Sequence, residues 1–496
     1  MRDYTKFAVK GAAAILLISL VSIIFGYLIR FSLARNLSVG DFGMFYSVFA
    51  FLSIFGIFKS LGFDRSLIKF IPEFRYRKKY DLIKSSILYV TFTQLVTNTI
   101  VIFGIYAFAN YLSLNFFHNP QAGAVLRLMA IAFFIDNFVF VIKFSFQGFK
   151  KTVLFASVDL IRMVLLFGII LVGLRLNYGI FSPVAAYIIV PAILLLVFAV
   201  VLVVRVFPQF LSAKFRVDKR AFMRIAKYSL FVMSTGIGTA ILGYTDSIML
   251  TYFSGLESVG LYNVALPTAN ILIYIAIAIE GVLIPLTAEL WVKKKKEVLS
   301  SGLRLLYNYS MVLIVPLAIS MVLFADVILS VLYGKEYAQA GAALMILSIG
   351  TIFGTLYSIN SNIFSGVEKP GINSNIVYFG AGFNFVVNIV LIPMMGIVGA
   401  AIATTISYVL MAILTFVYVR KFVEIRLPIM LWAKTALAGI LFAVLVGILK
   451  NLINIGILME IPIVLIVSGL FYIWLLFLLR VIDIGELKDL YRRVAK

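Results

Sequence analysis

The chain has 496 residues, of which 63% are hydrophobic and 13% charged, and a mean hydropathy of +1.10, outside the composition of soluble globular domains. Its formal charge of +22 would suggest nucleic acid in a soluble protein, but the basic residues sit between apolar runs, so anionic membrane lipids are the expected partner and nucleic acid is not. With no cysteine and one histidine, His118, disulfides, thiolate chemistry, iron–sulfur clusters, multi-histidine metal sites and histidine relays are excluded, and no cofactor or metal is expected.

Apolar runs of about 20 residues, the length a helix needs to cross hydrocarbon, recur along the whole chain. They predict an all-α integral membrane protein, because barrel strands would show short alternating segments instead. Fourteen spans are read, in order, at 11–33, 42–62, 83–112, 123–146, 153–174, 180–206, 228–252, 263–288, 303–325, 337–363, 373–393, 397–419, 430–449 and 460–480. The basic start with Lys6 and Lys10 resembles a signal peptide, but the run is too long and is claimed by the repeat described below.

Of the 43 lysines and arginines, 34 fall at the two ends and in alternate loops, against 5 in the other loops. Basic loops stay cytoplasmic, so the expectation is a multi-pass protein of the plasma membrane with both termini inside. The tail 483–496, with Ile484, Leu487 and Leu490 partly at helical spacing, is expected to form a small interfacial helix.

An internal duplication accounts for the order of the spans. Tyr46 and Val48 lie on Tyr262 and Val264 at an offset of 216, Phe146 to Lys151 resembles Phe364 to Lys369 at 218, and Gly179-Ile180 matches Gly396-Ile397 at 217. A near-constant offset over three patches indicates repeats. Six spans separate equivalent points, so the repeats are parallel, an arrangement of secondary transporters. The expected organisation is an N-terminal six-helix lobe (1–210), a C-terminal six-helix lobe (211–424) around a central cavity, two further helices (425–482) and the tail.

Charges inside spans are costly and mark cavities or partners. The first half holds Arg30, Lys59, Asp136, Lys143, Asp159 and Arg162, and the second Asp246 and Glu280. The offset of 216 sets Asp246 on Arg30, which predicts a shared position facing the cavity, with structural pairing as the rival reading. Lys59 either faces the cavity or snorkels to the interface. Asp136 and Lys143, two turns apart, suit cavity lining or a cross-helix network equally. Asp159 and Arg162, at i and i+3, are expected to pair on one helix face. Glu280, between apolar and small residues, is a candidate proton or sodium coupling site or an interior hydrogen-bonded acid. Asn270, Asn360, Asn362, Asn384 and Asn388 either line the cavity or hold helices together.

Four stretches carry a family resemblance. Tyr244-x-Asp246 with Val259-Gly260-Leu261-Tyr262-Asn263-Val264-Ala265 and Ile284-Pro285 resembles the seventh and eighth helices of polysaccharide-export, Wzx-like flippases of the multidrug/oligosaccharidyl-lipid/polysaccharide superfamily. Leu332 to Tyr337 resembles that family's FG-x-E-Y loop, and Leu391 to Thr404 its LIP-x-x-G-x-x-GAAIAT signature; Ala34 to Gly43 resembles the loop after helix 1. The resemblance implies a flippase, not an enzyme, that moves a polyprenyl or dolichyl pyrophosphate oligosaccharide from the cytoplasmic to the outer leaflet by alternating access, for surface polysaccharide or glycan synthesis. A polysaccharide polymerase is then a candidate partner. Relatives have a cationic cavity, for which Arg30 and Lys59 are placed. A cation-coupled drug exporter is the alternative, opposed by Arg30 where such exporters carry a carboxylate. A membrane polymerase or ligase needs a sizeable outer loop with catalytic residues, and the outer loops are short and nearly uncharged.

Overall fold

The computed structural model describes the backbone of residues 2–280, 283–425, 427–452, 456–482 and 485, and their side chains except those of 2–17, 57–59, 235, 274–280, 283–286 and 457–458. The side chains of Lys59 and Glu280, and the tail 483–496 apart from Gly485, lie outside the described residues. Every described element is helical, and the chain is an all-α membrane protein of about fourteen spans. It divides into two compact units, Met1–Asn263 and Val264–Lys496.

The first unit contains α1 (Arg2–Asn36), α2 (Val39–Ser60), α3 (Phe63–Tyr76), α4 (Tyr80–Asn115), α5 (Ala122–Gly148), α6 (Thr152–Arg175) and α7 (Phe181–Val201). After a π-helical turn, Leu202–Val206, come α8 (Gln209–Ser212), α9 (Lys219–Ser254) and the first turns of α10 (Leu256–Glu280). Helix α3, a short amphipathic piece in the basic stretch after the second span, was not foreseen as an element. It buries Phe63, Leu67, Phe70, Ile71 and Phe74 on one face, which is the 3.6-residue stripe of a helix lying against a larger body.

The connection from α7 to α9 is strapped along the first turns of α4. Asp81, Ser85 and Tyr89 share one face at i, i+4 and i+8. The Asp81 carboxylate accepts from the Lys214 N–H at 2.8 Å, Ser85 Oγ from the Arg216 N–H at 2.9 Å, and the Tyr89 hydroxyl from the Asp218 N–H at 2.7 Å. Asp218 in turn caps α9 by accepting from the Ala221 N–H at 2.9 Å, which holds its carboxyl below the usual carboxylate range.

The second unit contains α11 (Leu283–Val292), α12 (Lys296–Leu323), α13 (Ala325–Tyr333), a 3₁₀ segment Lys335–Ala340, α14 (Gly341–Gly366), α15 (Pro370–Val419), α16 (Ile429–Leu452) and α17 (Ile457–Leu478). Twelve helices among the described residues are long and apolar enough to cross a membrane. One of them, α15, holds two spans. Its 50 residues would extend about 75 Å as one rod, well over twice a bilayer core, but the backbone reverses at Gly396, with φ 55° and ψ −128°. A side chain is strained at that φ. The two arms then close tightly: a Cβ on Gly399 would lie 2.2 Å from the Leu391 carbonyl oxygen, and Asn384 Nδ2 donates to Thr404 Oγ1 at 3.4 Å. The glycine-rich stretch Leu391–Thr404 therefore encodes a helical hairpin.

Asn360 and Asn384 tie helical segments of this unit together. Asn360 accepts from the Tyr307 hydroxyl and donates to Thr415 Oγ1 at 3.2 Å, and Asn388 donates to Asn384 at 2.9 Å. All three are fully buried. The loop Leu332–Tyr337 is also a packing device, since Tyr333 and Tyr337 are buried and Tyr333 shares a hydrogen bond with Thr268 at 2.9 Å. Helices α16 and α17 pack around Phe442, Val446, Tyr472 and Leu476.

Candidate functional site

Helices α5 and α6 are joined by the tight turn Phe149–Lys151, so residues equidistant from the turn face each other across the hairpin. That register decides how four intramembrane charges pair. Lys143 on α5 meets Asp159 on α6 at 2.6 Å, and Arg162 on α6 meets Asp136 on α5 at 2.7 Å. The expected Asp159–Arg162 pair on one helix is thus replaced by two pairs between helices, because each charge finds an opposite one directly across the hairpin. Phe140 lies between the pairs, with the Arg162 guanidinium 5.0 Å and the Lys143 ammonium 5.6 Å from its ring centre.

The two pairs differ in what they leave unused. Lys143 donates to both Asp159 oxygens, at 2.6 and 2.8 Å. Arg162 engages Asp136 through Nη1 alone, and its Nε and Nη2 are buried with no hydrogen-bond partner among the described residues. Two donors of a planar fork therefore remain. They belong to a residue that lines a cavity of about 450 Å³, together with Asp136, Arg65 and the rings of Phe49, Phe133, Phe140, Tyr187 and Tyr244. A second cavity of about 270 Å³ shares Ser53, Gly56, Arg65 and Phe140 with it and adds Asp64 and Asn137. Asn137 is held there by Gln94, to which it donates at 2.8 Å.

Arg65 is the residue that the sequence reading missed. It stands in the first turn of α3 and was counted among the loop cations. Its side chain is exposed and lines both cavities, and its guanidinium makes no ion pair within 4 Å among the described residues. Arg65 and Arg162 thus place one unpaired and one half-satisfied guanidinium on a cavity walled by aromatic rings. Chemically this suits a ligand with an anionic oxygen-rich group next to a less polar body.

Arg30 and Asp246 are engaged elsewhere. The Arg30 guanidinium stacks 4.3 Å from the centre of the Tyr46 ring and donates to the Asn263 carbonyl, and it does not line the 450 Å³ cavity. Asp246 is 4% exposed and accepts from the Tyr262 hydroxyl at 2.5 Å. Its neighbour Tyr244, two positions earlier, is the one that reaches the cavity.

The register between these helices is also settled by contact. A Cβ on Gly43 would lie 1.8 Å from the Leu256 carbonyl oxygen, and a Cβ on Gly260 would lie 2.4 Å from the Val39 carbonyl oxygen. Gly43 follows Val39 by four residues and Gly260 follows Leu256 by four, so the start of α2 and the start of α10 cross reciprocally, backbone on backbone. Reciprocity pairs residues at an offset of 217. In that register Ser247, not Asp246, is the counterpart of Arg30, and Ser247 accepts from Asn263 Nδ2 at 3.1 Å just as Arg30 packs on Tyr46. A helix has no room for the one-residue slip that the tyrosine match at 216 would require. In this register Arg30 and Asp246, expected to share one position, are not equivalent.

The sequence profile of the polysaccharide biosynthesis protein family matches residues 8–291, more than half of the chain. The chain belongs to that family. A second profile, that of the MatE family, matches residues 232–390, and together they place this family member in the multidrug/oligosaccharidyl-lipid/polysaccharide superfamily. Over its full length it is 34% identical to uncharacterized membrane protein MJ1068 of Methanocaldococcus jannaschii, with 100% of both chains covered. It is 25% identical to the probable low-salt glycan biosynthesis flippase Agl15 of Haloferax volcanii, across 54% of this chain and 57% of that one. In fold it is similar to the lipid II flippase MurJ in an inward closed conformation, with a TM-score of 0.74, 15% identity, and 92% and 97% of the two chains covered. The family's loop and hairpin signatures are therefore structural in this member, whereas Arg65, Asp136 and Arg162 of its first unit line a cavity.

Proposed function

We propose that the chain is a flippase that carries a polyprenyl- or dolichyl-pyrophosphate-linked oligosaccharide from the cytoplasmic to the outer leaflet by alternating access, with the pyrophosphate held by Arg65 and Arg162. The observation that carries the reading is the pair of guanidiniums on one aromatic-walled cavity, one without an ion pair and the other with two unused buried donors. A diphosphate offers acceptor oxygens in the spacing a guanidinium fork matches, and arginine stays charged at any relevant pH. Phe49, Phe133, Tyr187 and Tyr244 would flank the sugars or the first isoprene units. The similarity to Agl15, a probable low-salt glycan biosynthesis flippase, and to MurJ, a lipid II flippase, supports the same class.

In this proposal two repeated lobes, 1–210 and 211–424, are followed by two accessory helices, and both termini face the cytoplasm, where the basic loops gather. Lys143 and Asp159 keep α5 and α6 together beside the cavity. Arg30 and Asp246 support the packing of α1, α9 and α10 and bind no substrate. Lys59 adds a cation to the substrate path, and Glu280 couples transport to a proton or sodium gradient. A polymerase working on the delivered glycan is the proposed protein partner.

The match to the MatE profile favours a second reading, export of small cationic compounds. An unpaired Arg65 opposes it, because a cation entering the cavity would be repelled at short range. The experiment is reconstitution into liposomes with a lipid-pyrophosphate oligosaccharide in one leaflet, scored by its access from the other. Arg65→Gln is expected to weaken apparent affinity about tenfold, the loss of one charge-assisted contact, while the variant folds normally. Wild-type flipping by Arg65→Gln overturns the assignment of Arg65, and transport of cationic dyes with no movement of the lipid-linked sugar overturns the substrate class. Flipping rates that ignore both cation gradients exclude the coupling role of Glu280.

A further inference from the structure

The second unit carries a separate basic cavity that the flippase reading does not use. The face of α12 formed by Lys296, Ser300 and Arg304, at i, i+4 and i+8, opposes the turn Arg420–Glu424 that follows α15, and between them lies a space of about 570 Å³. Ser300 Oγ donates to the Glu424 carbonyl and joins the two walls. Four cations, Lys296, Arg304, Arg420 and Lys421, and two carboxylates, Glu297 and Glu424, line the space. Among the described residues none of these four cations lies within 4 Å of a carboxylate, so the acids do not neutralise them. The ammonium of Lys296 rests 5.2 Å from the Trp291 ring centre and that of Lys421 is 4.7 Å from the ring centre of Tyr418. The guanidiniums of Arg304 and Arg420 touch no ring and make no hydrogen bond among the described residues, which leaves two planar forks open to the cavity.

Its depth in the membrane follows from the elements that build it. The cavity lies where α12 begins and α15 ends, at the termini of two apolar spans. Trp291 and Phe422 meet edge to face at 6.3 Å on its border, and the Tyr418 ring lies against the Lys421 ammonium. Tryptophan and tyrosine gather at headgroup level, where one end of the ring is apolar and the other wet. The start of α12 adds backbone N–H groups, since its cap residue Lys295 makes no side-chain cap. A net positive, fork-lined space at headgroup depth is matched by a phosphate ester.

We propose that this cavity binds the phosphate of an anionic phospholipid headgroup, held between Arg304 and Arg420, with the acyl chains lying along α12 and α15. The site is independent of the substrate cavity, and binding there would stay intact if the flippase reading failed.

The test is native mass spectrometry of the full chain released from mixed micelles of phosphatidylglycerol and phosphatidylcholine, with inorganic phosphate as a competing probe. Wild-type protein should retain phosphatidylglycerol in preference to phosphatidylcholine, and Arg304→Gln/Arg420→Gln should retain about tenfold less. Lys293→Gln/Lys294→Gln, which alters charge on the same surface outside the cavity, should retain as much as wild type. Millimolar inorganic phosphate should not displace the lipid. Equal retention by the cavity variant and wild type overturns the site. Displacement by inorganic phosphate, with phosphate itself retained through Arg304 and Arg420, overturns the lipid source and assigns the site to a soluble phosphate ester. If the double glutamine variant fails to fold, Arg304→Lys/Arg420→Lys replaces it; that variant keeps the charge but loses the fork, and undiminished retention would overturn the role of the guanidiniums.

Discussion

Replacing Arg162 with glutamine separates what the α5–α6 charges do for the fold from what they do for transport. The Arg162 and Asp136 side chains are 13% and 19% exposed, so the substitution leaves a largely buried carboxylate without its partner. Breaking a buried pair from one side costs about 3–5 kcal/mol, and the partial exposure of both side chains puts the expected loss near the lower end, about 3 kcal/mol. Asp136→Asn/Arg162→Gln removes both charges and restores a neutral hydrogen bond, so its stability should return to within about 1 kcal/mol of wild type. Transport should not return with it, because the guanidinium of a residue that lines the cavity is still missing. Unfolding in detergent followed by helicity, set beside flipping in liposomes for the same three proteins, reads both quantities. Wild-type flipping by the double variant would reduce Arg162 to a structural residue. An undiminished stability of Arg162→Gln would mean that Asp136 is solvated and that the cross-helix pair contributes nothing.

The reciprocal glycine crossing gives a non-additive prediction: Gly43→Ala and Gly260→Ala should each destabilise by about 1–3 kcal/mol through overpacking. Once one methyl has parted α2 and α10, the second should add little; strictly additive effects would show that the two glycines do not share a contact. Gly396→Ala should cost about 1–3 kcal/mol for a side chain held in a sparsely populated backbone region, measured as a lower melting temperature, and an unchanged melt would place the reversal elsewhere. Tyr307→Phe strips the buried Asn360 side chain of the hydroxyl it accepts from and should cost about 1–3 kcal/mol. A stability equal to wild type would mean that water replaces that hydroxyl.

Spans were legible because crossing hydrocarbon demands about 20 apolar residues in a row, a signal no packing detail can mask. The hairpin at Gly396 was visible as two spans with a glycine-rich joint, although nothing in the sequence stated that one continuous helical segment would reverse there. Intramembrane charges were equally plain, yet their partners were not. Spacing along one helix suggested Asp159 with Arg162, whereas the α5–α6 turn fixes a register that offers each of them a partner across the hairpin. Arg65 escaped because counting charges by loop treats every cation outside a span as a headgroup contact, and only the fold shows α3 turning its first residues toward a cavity. The tyrosine match set Tyr46 on Tyr262 at an offset of 216, on a residue frequent enough in this chain to match by chance, whereas Gly43 and Gly260 meet at an offset of 217 because only a residue without a side chain fits there.

That crossing also imposes an order on biosynthesis. Gly43 and Gly260 are separated by 217 residues, and at about 5–20 residues per second the ribosome needs roughly 10 to 40 s to supply the second once the first has been made. Throughout that interval α2 sits in the bilayer with a strip of backbone at its first turns uncovered, and the first compact unit lacks the piece of α10 that closes it. A newly made first half is therefore an incomplete body until the second half begins to arrive.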